Sequence, residues 1–167
     1  MDLQLPFENP WAWAIALCAC AAVAEGLLTG GRVKELFTEL QLPKPQISLL
    51  VWSAIGGAYY LAMLMVAHAL FASAPVTFWT GAALALTVIL MALNGAWNWL
   101  FFRRRSLLAS LVFFVPYNLI ALALAYALTK IGGRVFWWYT PYLGYLVFVT
   151  WWAYMVWKLN RVNRRDG

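Results

Sequence analysis

The chain alternates between long apolar stretches and polar or glycine-containing links. Five stretches are long enough to cross a bilayer as helices, for which about 20 residues are needed. We predict them over residues 11–28, 47–71, 78–102, 107–129 and 136–159. The last three links are short, so consecutive helices run antiparallel, and only the first link is long enough to hold structure of its own. The pattern predicts an all-α fold, in which residues 1–167 form one integral membrane domain, an up-and-down bundle of five transmembrane helices.

The composition agrees with a membrane protein. Hydrophobic residues make up 65% and charged residues 11% of the 167 residues, against roughly 45–50% and 25% in a soluble domain. This leaves too little polar surface for a soluble particle and excludes a cytosolic enzyme, a disordered chain and a secreted disulfide scaffold. Cys18 and Cys20 point to different sides of a helix, so we expect small core residues and neither a disulfide nor a metal pair.

The basic residues lie mainly on one side of the predicted bundle. Of the 12 lysines and arginines, only Lys130 and Arg134 fall on the side of the N-terminus, whereas the opposite side has the rest, including Arg103–Arg105, Arg164 and Arg165. Basic loops stay in the cytoplasm, so we predict an outside N-terminus and a cytoplasmic C-terminus. Topology and contact with membrane lipid then account for the net charge of +6, and we expect no nucleic-acid partner.

Few groups that could carry chemistry lie inside the stretches, where polar side chains are costly and therefore functional candidates. Glu25 is the only carboxylate there, and we expect it to reach water or an arginine at the interface. His68, the sole histidine, is expected at the interface as well. We recognise no triad, phosphate loop, dinucleotide fingerprint or metal set, so we predict neither catalytic residues nor a metal.

Asparagines and aromatic residues form the other notable pattern. Asn94 and Asn98 share one helical face, with Trp97 beside them. In the fourth stretch Pro116 predicts a kink, because it cannot donate to the carbonyl of residue 112, and Tyr117 follows it directly. Such a cluster could line a ligand cavity, or it could provide hydrogen bonds between helices. The residues alone leave both interpretations open.

Three motifs resemble one family. Residues 92–102 (ALNGAWNWLFF) resemble the A-L-N-x-x-W-x-x-x-F-F signature of the translocator protein family, also called TspO/MBR, the peripheral benzodiazepine receptor or the tryptophan-rich sensory proteins. The fifth stretch has PYL at 141–143, Phe148 and WKLN at 157–160, similar to the family's P-Y-L…F-A…W-x-x-N run. Val51-Trp52 resembles its V-W pair. The resemblance extends over essentially the whole chain.

The sequence also departs from the family pattern. The first loop has residues 36–43 (LFTELQLP) in place of the usual W-Y-x-x-L-x-K-P, and the following W-x-P-P is missing. Asn98-Trp99 replaces a double proline, Tyr145 a tryptophan and Ala153 an asparagine. The chain therefore resembles a divergent, bacterial-type member. The family's fold is expected to apply to this chain more directly than the family's ligand.

The resemblance implies a five-helix bundle, often dimeric, with a ligand pocket near the long first loop. Family members bind tetrapyrroles such as protoporphyrin, sterols and synthetic benzodiazepine-site drugs, and a bacterial member would lie in the inner (cytoplasmic) membrane. At matching positions, Trp52 and Trp97 would be pocket aromatics, Asn94 a polar group and Phe148 a lining residue. Asn98 and Tyr145, at positions where family residues are replaced, complete the predicted ligand-binding set.

These observations favour a non-enzymatic sensor or carrier that binds a porphyrin or similar flat hydrophobic molecule, with no other cofactor. Its expected partners are membrane lipid, this ligand, and either a second copy or a larger membrane complex. A structural or assembly subunit is the first alternative, since small residues such as Ala22 and Gly26 are spaced for helix–helix contact. The second is a light-dependent porphyrin-degrading enzyme, whose photochemistry through tryptophan needs no positioned acid or base.

Overall fold

A computed structural model describes residues 8–73 and 76–161, and this part of the chain consists of helices and loops without a strand. The helices are α1 (Pro10–Thr29), α2 (Val33–Glu39), α3 (Leu49–Phe71), α4 (Phe78–Asn98), α5 (Leu107–Val112), α6 (Phe114–Ile131) and α7 (Val135–Arg161). The predicted all-α class is confirmed. Pro75 in the second link and the basic residues Arg164 and Arg165 lie outside the described residues.

Four helical segments of the described chain are long and apolar enough to cross a membrane: Pro10–Thr29, Leu49–Phe71, Phe78–Arg103 and Leu107–Ile131. Helix α7 is longer still, with 27 residues, but it is not among these four. Its many tryptophans and tyrosines lower its hydropathy, because their rings carry polar groups. The predicted membrane-spanning character is therefore supported for four helices, and the count of five is not confirmed.

Polar side chains at the helix starts explain where the helices begin. The Asn9 side chain accepts a hydrogen bond from the Ala12 amide, and Pro10 occupies the first turn of α1, both typical of a helix N-terminus. Ser48 caps α3 in the same way through the Val51 amide. The predicted start at residue 47 was therefore two residues early.

Two predicted helices are less regular than the sequence indicated. The predicted third stretch over 78–102 corresponds to the span Phe78–Arg103, but α4 ends at Asn98 and continues as a π-helical turn over Trp99–Arg103. The fourth stretch is divided at Phe113 into α5 and α6. This break lies one turn before Pro116 and agrees with the predicted kink.

The five long helices close into a ring in the order α1, α3, α7, α6, α4, each packing against the next and α4 against α1. Fully buried side chains such as Met63, Leu90 and Leu124 fill the interior. Helix α1 comes close to α4 at Gly95, where a Cβ atom would lie 3.1 Å from Leu28 Cδ1 and 3.8 Å from Glu25 Cα. This close approach brings Glu25 beside α4.

The expectations for the cysteines and for the histidine have different outcomes. Cys18 is buried, but Cys20 is exposed, so the expectation that both are core residues was wrong for Cys20. It lies on the outer surface of α1. The His68 ring stacks on Trp11, with ring centroids 3.8 Å apart. The expected position of His68 at the membrane interface stays a prediction.

Candidate functional site

A cavity of about 460 Å³ lies between α1, α2, α3, the end of α4 and α7. This volume falls in the range of roughly 300–1,000 Å³ that is typical of small-molecule sites. Nine of the 19 lining residues are aromatic: Phe37, Trp52, Tyr59, Trp97, Phe101, Phe102, Tyr142, Tyr145 and Trp152. The polar lining residues are Glu25, Thr29, Lys34, Ser53, Asn94 and Asn98.

Ring contacts hold the aromatic wall in place. Trp52 on α3 meets the edge of Trp152 on α7, with centroids 4.8 Å apart. Trp97 stacks on Phe101 at 5.0 Å, and its Nε1 donates a 3.1 Å hydrogen bond to the backbone carbonyl of Ser110. The π-helical turn after α4 carries Phe101 and Phe102 to the cavity. The wall can therefore offer preformed ring surfaces to a flat apolar ligand.

Glu25 is the centre of a polar cluster in this wall. Its Oε2 accepts hydrogen bonds from the Tyr60 hydroxyl at 2.6 Å and from Asn94 Nδ2 at 2.7 Å. Its Oε1 accepts a third from Asn98 Nδ2 at 2.8 Å. The four-residue spacing of Asn94 and Asn98 places both amides on the face of α4 that meets α1. Glu25 thus has asparagine and tyrosine partners, and the expected arginine contact is not seen in the described part of the chain.

Further hydroxyls extend the cluster across the bundle. The Tyr117 hydroxyl on α6 donates to Asn94 Oδ1 at 3.3 Å and shares a hydrogen bond with the Tyr142 hydroxyl on α7. We call the connected set the Glu25 network, which consists of Glu25, Tyr60, Asn94, Asn98, Tyr117 and Tyr142. It includes at least one residue from each of the five long helices.

One hydroxyl beside this network has no partner. Tyr59 lines the cavity and is only 7% exposed, and its hydroxyl makes no hydrogen bond within the described residues. Its ring lies 5.3 Å from that of Tyr142. A buried polar group without a partner costs about 1–3 kcal/mol. The Tyr59 hydroxyl is therefore a buried polar group that the described residues leave without a hydrogen bond.

The first link, which we expected to hold structure, contributes α2 to the cavity. Val33, Lys34 and Phe37 on this helix are lining residues. At the C-terminal end of α2, an ion pair between Glu39 Oε2 and Arg105 Nη1 at 2.7 Å connects this helix to the loop after the π-helical turn. The amide of Gln41, just beyond it, donates to Asn160 Oδ1 at 3.0 Å, and its carbonyl accepts from Asn160 Nδ2 at 2.9 Å.

The structure brings most of the predicted ligand-binding residues together. The lining includes Trp52, Asn94, Trp97, Asn98 and Tyr145. Phe148 is not a lining residue, but its ring is next to that of Trp52, with centroids 6.4 Å apart. A role for these residues in ligand binding stays a prediction. No group of metal-ligating side chains occurs among the described residues.

Sequence reasoning did not include several members of the site in the predicted ligand-binding set, among them Glu25, Tyr59 and Tyr60. A signal for Glu25 existed, since it is the only carboxylate in a span and two asparagines on another span share one face. The pairing of α1 with α4 was needed to connect these observations. The two tyrosines gave no such signal, because the sequence does not indicate which face of α3 points inward.

Comparison with known proteins agrees with this architecture. The model of the TspO/MBR family matches residues 14–158, which is most of the chain. The chain belongs to the TspO/MBR family. A search of curated proteins gives no significant match. Membership identifies this TspO/MBR chain as an integral membrane protein and supports a role in membrane ligand binding or sensing in general.

Proposed function

We propose that this TspO/MBR chain is a membrane-embedded sensor or carrier that binds a tetrapyrrole, such as a porphyrin, or a similar flat hydrophobic molecule. The observation that carries the proposal is the cavity of about 460 Å³, in which nine of the 19 lining residues are aromatic. A flat macrocycle gains by burying apolar area and by stacking, which is worth roughly 0.5–1.5 kcal/mol per aromatic pair beyond the area term. Trp52 and Trp97 come from different helices and offer two such surfaces.

The proposal includes an arrangement in the membrane. Helix α7 forms a fifth span, and the protein lies in a bacterial inner membrane with its N-terminus outside and its C-terminus in the cytoplasm. The excess of basic residues on one side supports this orientation. Terminal fusions to a reporter that is active only outside the cytoplasm test it. Activity at the N-terminus alone is expected, and activity at the C-terminus would contradict the orientation.

Titration of purified protein with protoporphyrin, followed by porphyrin absorbance, tests ligand binding. Trp52→Leu removes one ring from the lining, whereas Trp137→Leu removes a tryptophan that is 69% exposed and outside the lining. Loss of one stacking contact should weaken binding roughly threefold to tenfold in Trp52→Leu. Trp137→Leu should bind like the unmodified protein. Saturable binding that responds equally to both variants would place the porphyrin elsewhere and overturn the proposal.

An assembly role is a second candidate. Ala22 and Gly26 on α1 are exposed, and no atom of another helix lies within 4 Å of the position of a Gly26 Cβ. Small residues on an outer face allow another helix to approach closely, from a second copy or from a larger complex. Purification in mild detergent followed by mass measurement tests this candidate. A monomer at all protein concentrations would contradict it.

Light-dependent degradation of the bound pigment is the enzymatic alternative. The close tryptophan and phenylalanine rings around the cavity favour it, because photochemistry through an indole needs no acid or base. Illumination of the porphyrin complex, with the absorption spectrum followed over time, separates degradation from binding. A stable absorption spectrum under illumination would contradict the degradation activity and would be compatible with the sensor or carrier role.

A further inference from the structure

The Glu25 carboxylate has no cationic partner in the protein, as far as residues 8–73 and 76–161 show. The ion pairs in these ranges join Arg32 to Glu35, and Arg105 to Glu35 and Glu39. Lys34 is the cationic residue of the lining, but it makes no ion pair with Glu25. A carboxylate inside a span is costly when no positive charge balances it.

The hydrogen bonds of Glu25 suit an ionised carboxylate. All three named partners, Tyr60, Asn94 and Asn98, donate to it. An ionised carboxylate only accepts and has about four acceptor positions on its two oxygens. Oε2 accepts two of the bonds and Oε1 accepts one, so Oε1 keeps a free position. Because Glu25 is a lining residue, a bound molecule can reach it.

The Tyr59 hydroxyl beside the cavity is a second polar group without a hydrogen bond in the described residues. It belongs to a residue that is more than nine-tenths buried and that lines the same cavity. Nine of the 19 residues that line the cavity are aromatic. A complementary molecule is therefore flat, largely apolar, and has a polar group that reaches Glu25.

We propose that the cavity recognises a positively charged nitrogen that bears hydrogen on its flat ligand, and that Glu25 binds this group. The inference rests on the proposed function, since it assumes that the cavity takes a flat ligand, and it narrows the class of that ligand. Protonated aromatic amines belong to this class. The N–H groups of a free-base porphyrin are uncharged at neutral pH and point to the centre of the ring, so a tetrapyrrole belongs to this class only if it bears a cationic nitrogen at its edge. A flat ring whose only polar group is a carboxylate places two negative charges together.

Three probes with the same three-ring skeleton and different charges test this inference. Aminoacridine is cationic at neutral pH, anthracene is neutral, and anthracene carboxylate is anionic. Each is titrated against the full chain in nanodiscs of zwitterionic lipid, which remove attraction to anionic lipid, and binding is followed by probe fluorescence. A charged hydrogen bond contributes enough to make aminoacridine bind roughly tenfold to a hundredfold more tightly than anthracene. The carboxylate should bind more weakly than anthracene.

Two substitutions locate the effect. Glu25→Gln removes the charge with little change of shape and should bring aminoacridine binding close to that of anthracene. Glu35→Gln is the matched control, because it removes the same charge from an exposed side chain on α2 that is not in the lining. It should keep the preference for the cation. Unchanged anthracene binding in both variants serves as the check that the cavity is intact.

The outcomes separate this inference from the proposed function. Binding of all three probes with equal affinity to the unmodified protein overturns the inference, while the cavity stays a site for flat molecules. A preference for the cation that survives in Glu25→Gln also overturns it. If no probe binds in the cavity and protoporphyrin does not bind either, the proposed function itself fails.

Discussion

Asn98 on α4 donates a 2.8 Å hydrogen bond to the Glu25 carboxylate on α1, across 73 residues of sequence. The same amide also donates to the Asn94 carbonyl at 3.1 Å, and Asn98 is only 8% exposed. Asn98 therefore fixes one oxygen of the carboxylate while its own orientation is fixed from within α4. The position of Glu25 in the cavity wall depends on this pair.

Asn98→Ala should lower the free energy of unfolding in detergent by about 1–2 kcal/mol, because it leaves one oxygen of a part-buried carboxylate without its donor. Asn118→Ala is the matched control. It removes the single side-chain hydrogen bond from Asn118 to Thr150 at 3.2 Å, and an ordinary interhelical hydrogen bond in a membrane contributes about 0.6 kcal/mol. Thermal unfolding of both variants measures the difference. An equal or larger loss in Asn118→Ala would contradict the role assigned to Asn98.

Gly95→Val should disturb the contact between α1 and α4. The new side chain would meet Leu28 and the backbone of Glu25, and overpacking of this kind costs about 1–3 kcal/mol. Gly81→Val on the same helix is the control, because nothing lies within 4 Å of a Cβ atom at residue 81. Both substitutions replace a helical glycine by valine, so they change the helix propensity in the same way. Gly95→Val should unfold at a lower temperature than Gly81→Val. Similar unfolding temperatures would show that the close approach at Gly95 is unimportant for stability.

Separation of the ion pair between Glu39 and Arg105 should speed the release of a bound ligand. The pair is half-exposed, so its removal should cost only about 0.2–1 kcal/mol of stability. It nevertheless fastens α2, which carries Phe37 and Lys34 in the cavity wall. Stopped-flow measurement of porphyrin release from Glu39→Gln, Arg105→Gln and the double variant tests this prediction.

If the pair acts as one unit, the double variant should release the ligand about as fast as Arg105→Gln, which also loses the contact with Glu35 at 3.9 Å. Higher salt should speed release from the unmodified protein and have less effect on the variants. Additive effects of the two substitutions would show that each residue acts by a separate route.

Tyr59→Phe should leave the empty protein at least as stable as before, because its buried hydroxyl has no hydrogen bond to lose. Tyr139→Phe is the contrasting variant. The Tyr139 hydroxyl donates to the Ala121 carbonyl at 3.1 Å, so its loss should cost about 1 kcal/mol. Thermal unfolding without ligand should show this difference. A clear loss of stability in Tyr59→Phe would mean that its hydroxyl has a partner in the empty protein.

Much of the fold could be predicted from the order of apolar stretches. Apolar length and short links define long helices, and the kink before Pro116 follows from the missing amide donor. The end of α4 could not be predicted in this way. Its π-helical turn over Trp99–Arg103 lies in a run of apolar residues that is equally compatible with a regular helix.

The site could be predicted only in part. Trp52 and Trp97 could be placed at the cavity through the motifs shared with the family, and the asparagine pair through helical spacing. The partner of that pair could not be predicted, because periodicity places residues on a helix face but does not state which helix the face meets. Glu25 becomes part of the site only through the approach of α1 to Gly95.

The Glu25 network contains residues from all five long helices, and Asn94 joins its two parts by donating to Glu25 and accepting from Tyr117. A bound ligand that competes for any one hydrogen bond of the Glu25 network therefore perturbs contacts between several helices at once. Filled and empty molecules should differ in the rigidity of the entire assembly more than in the position of a single segment.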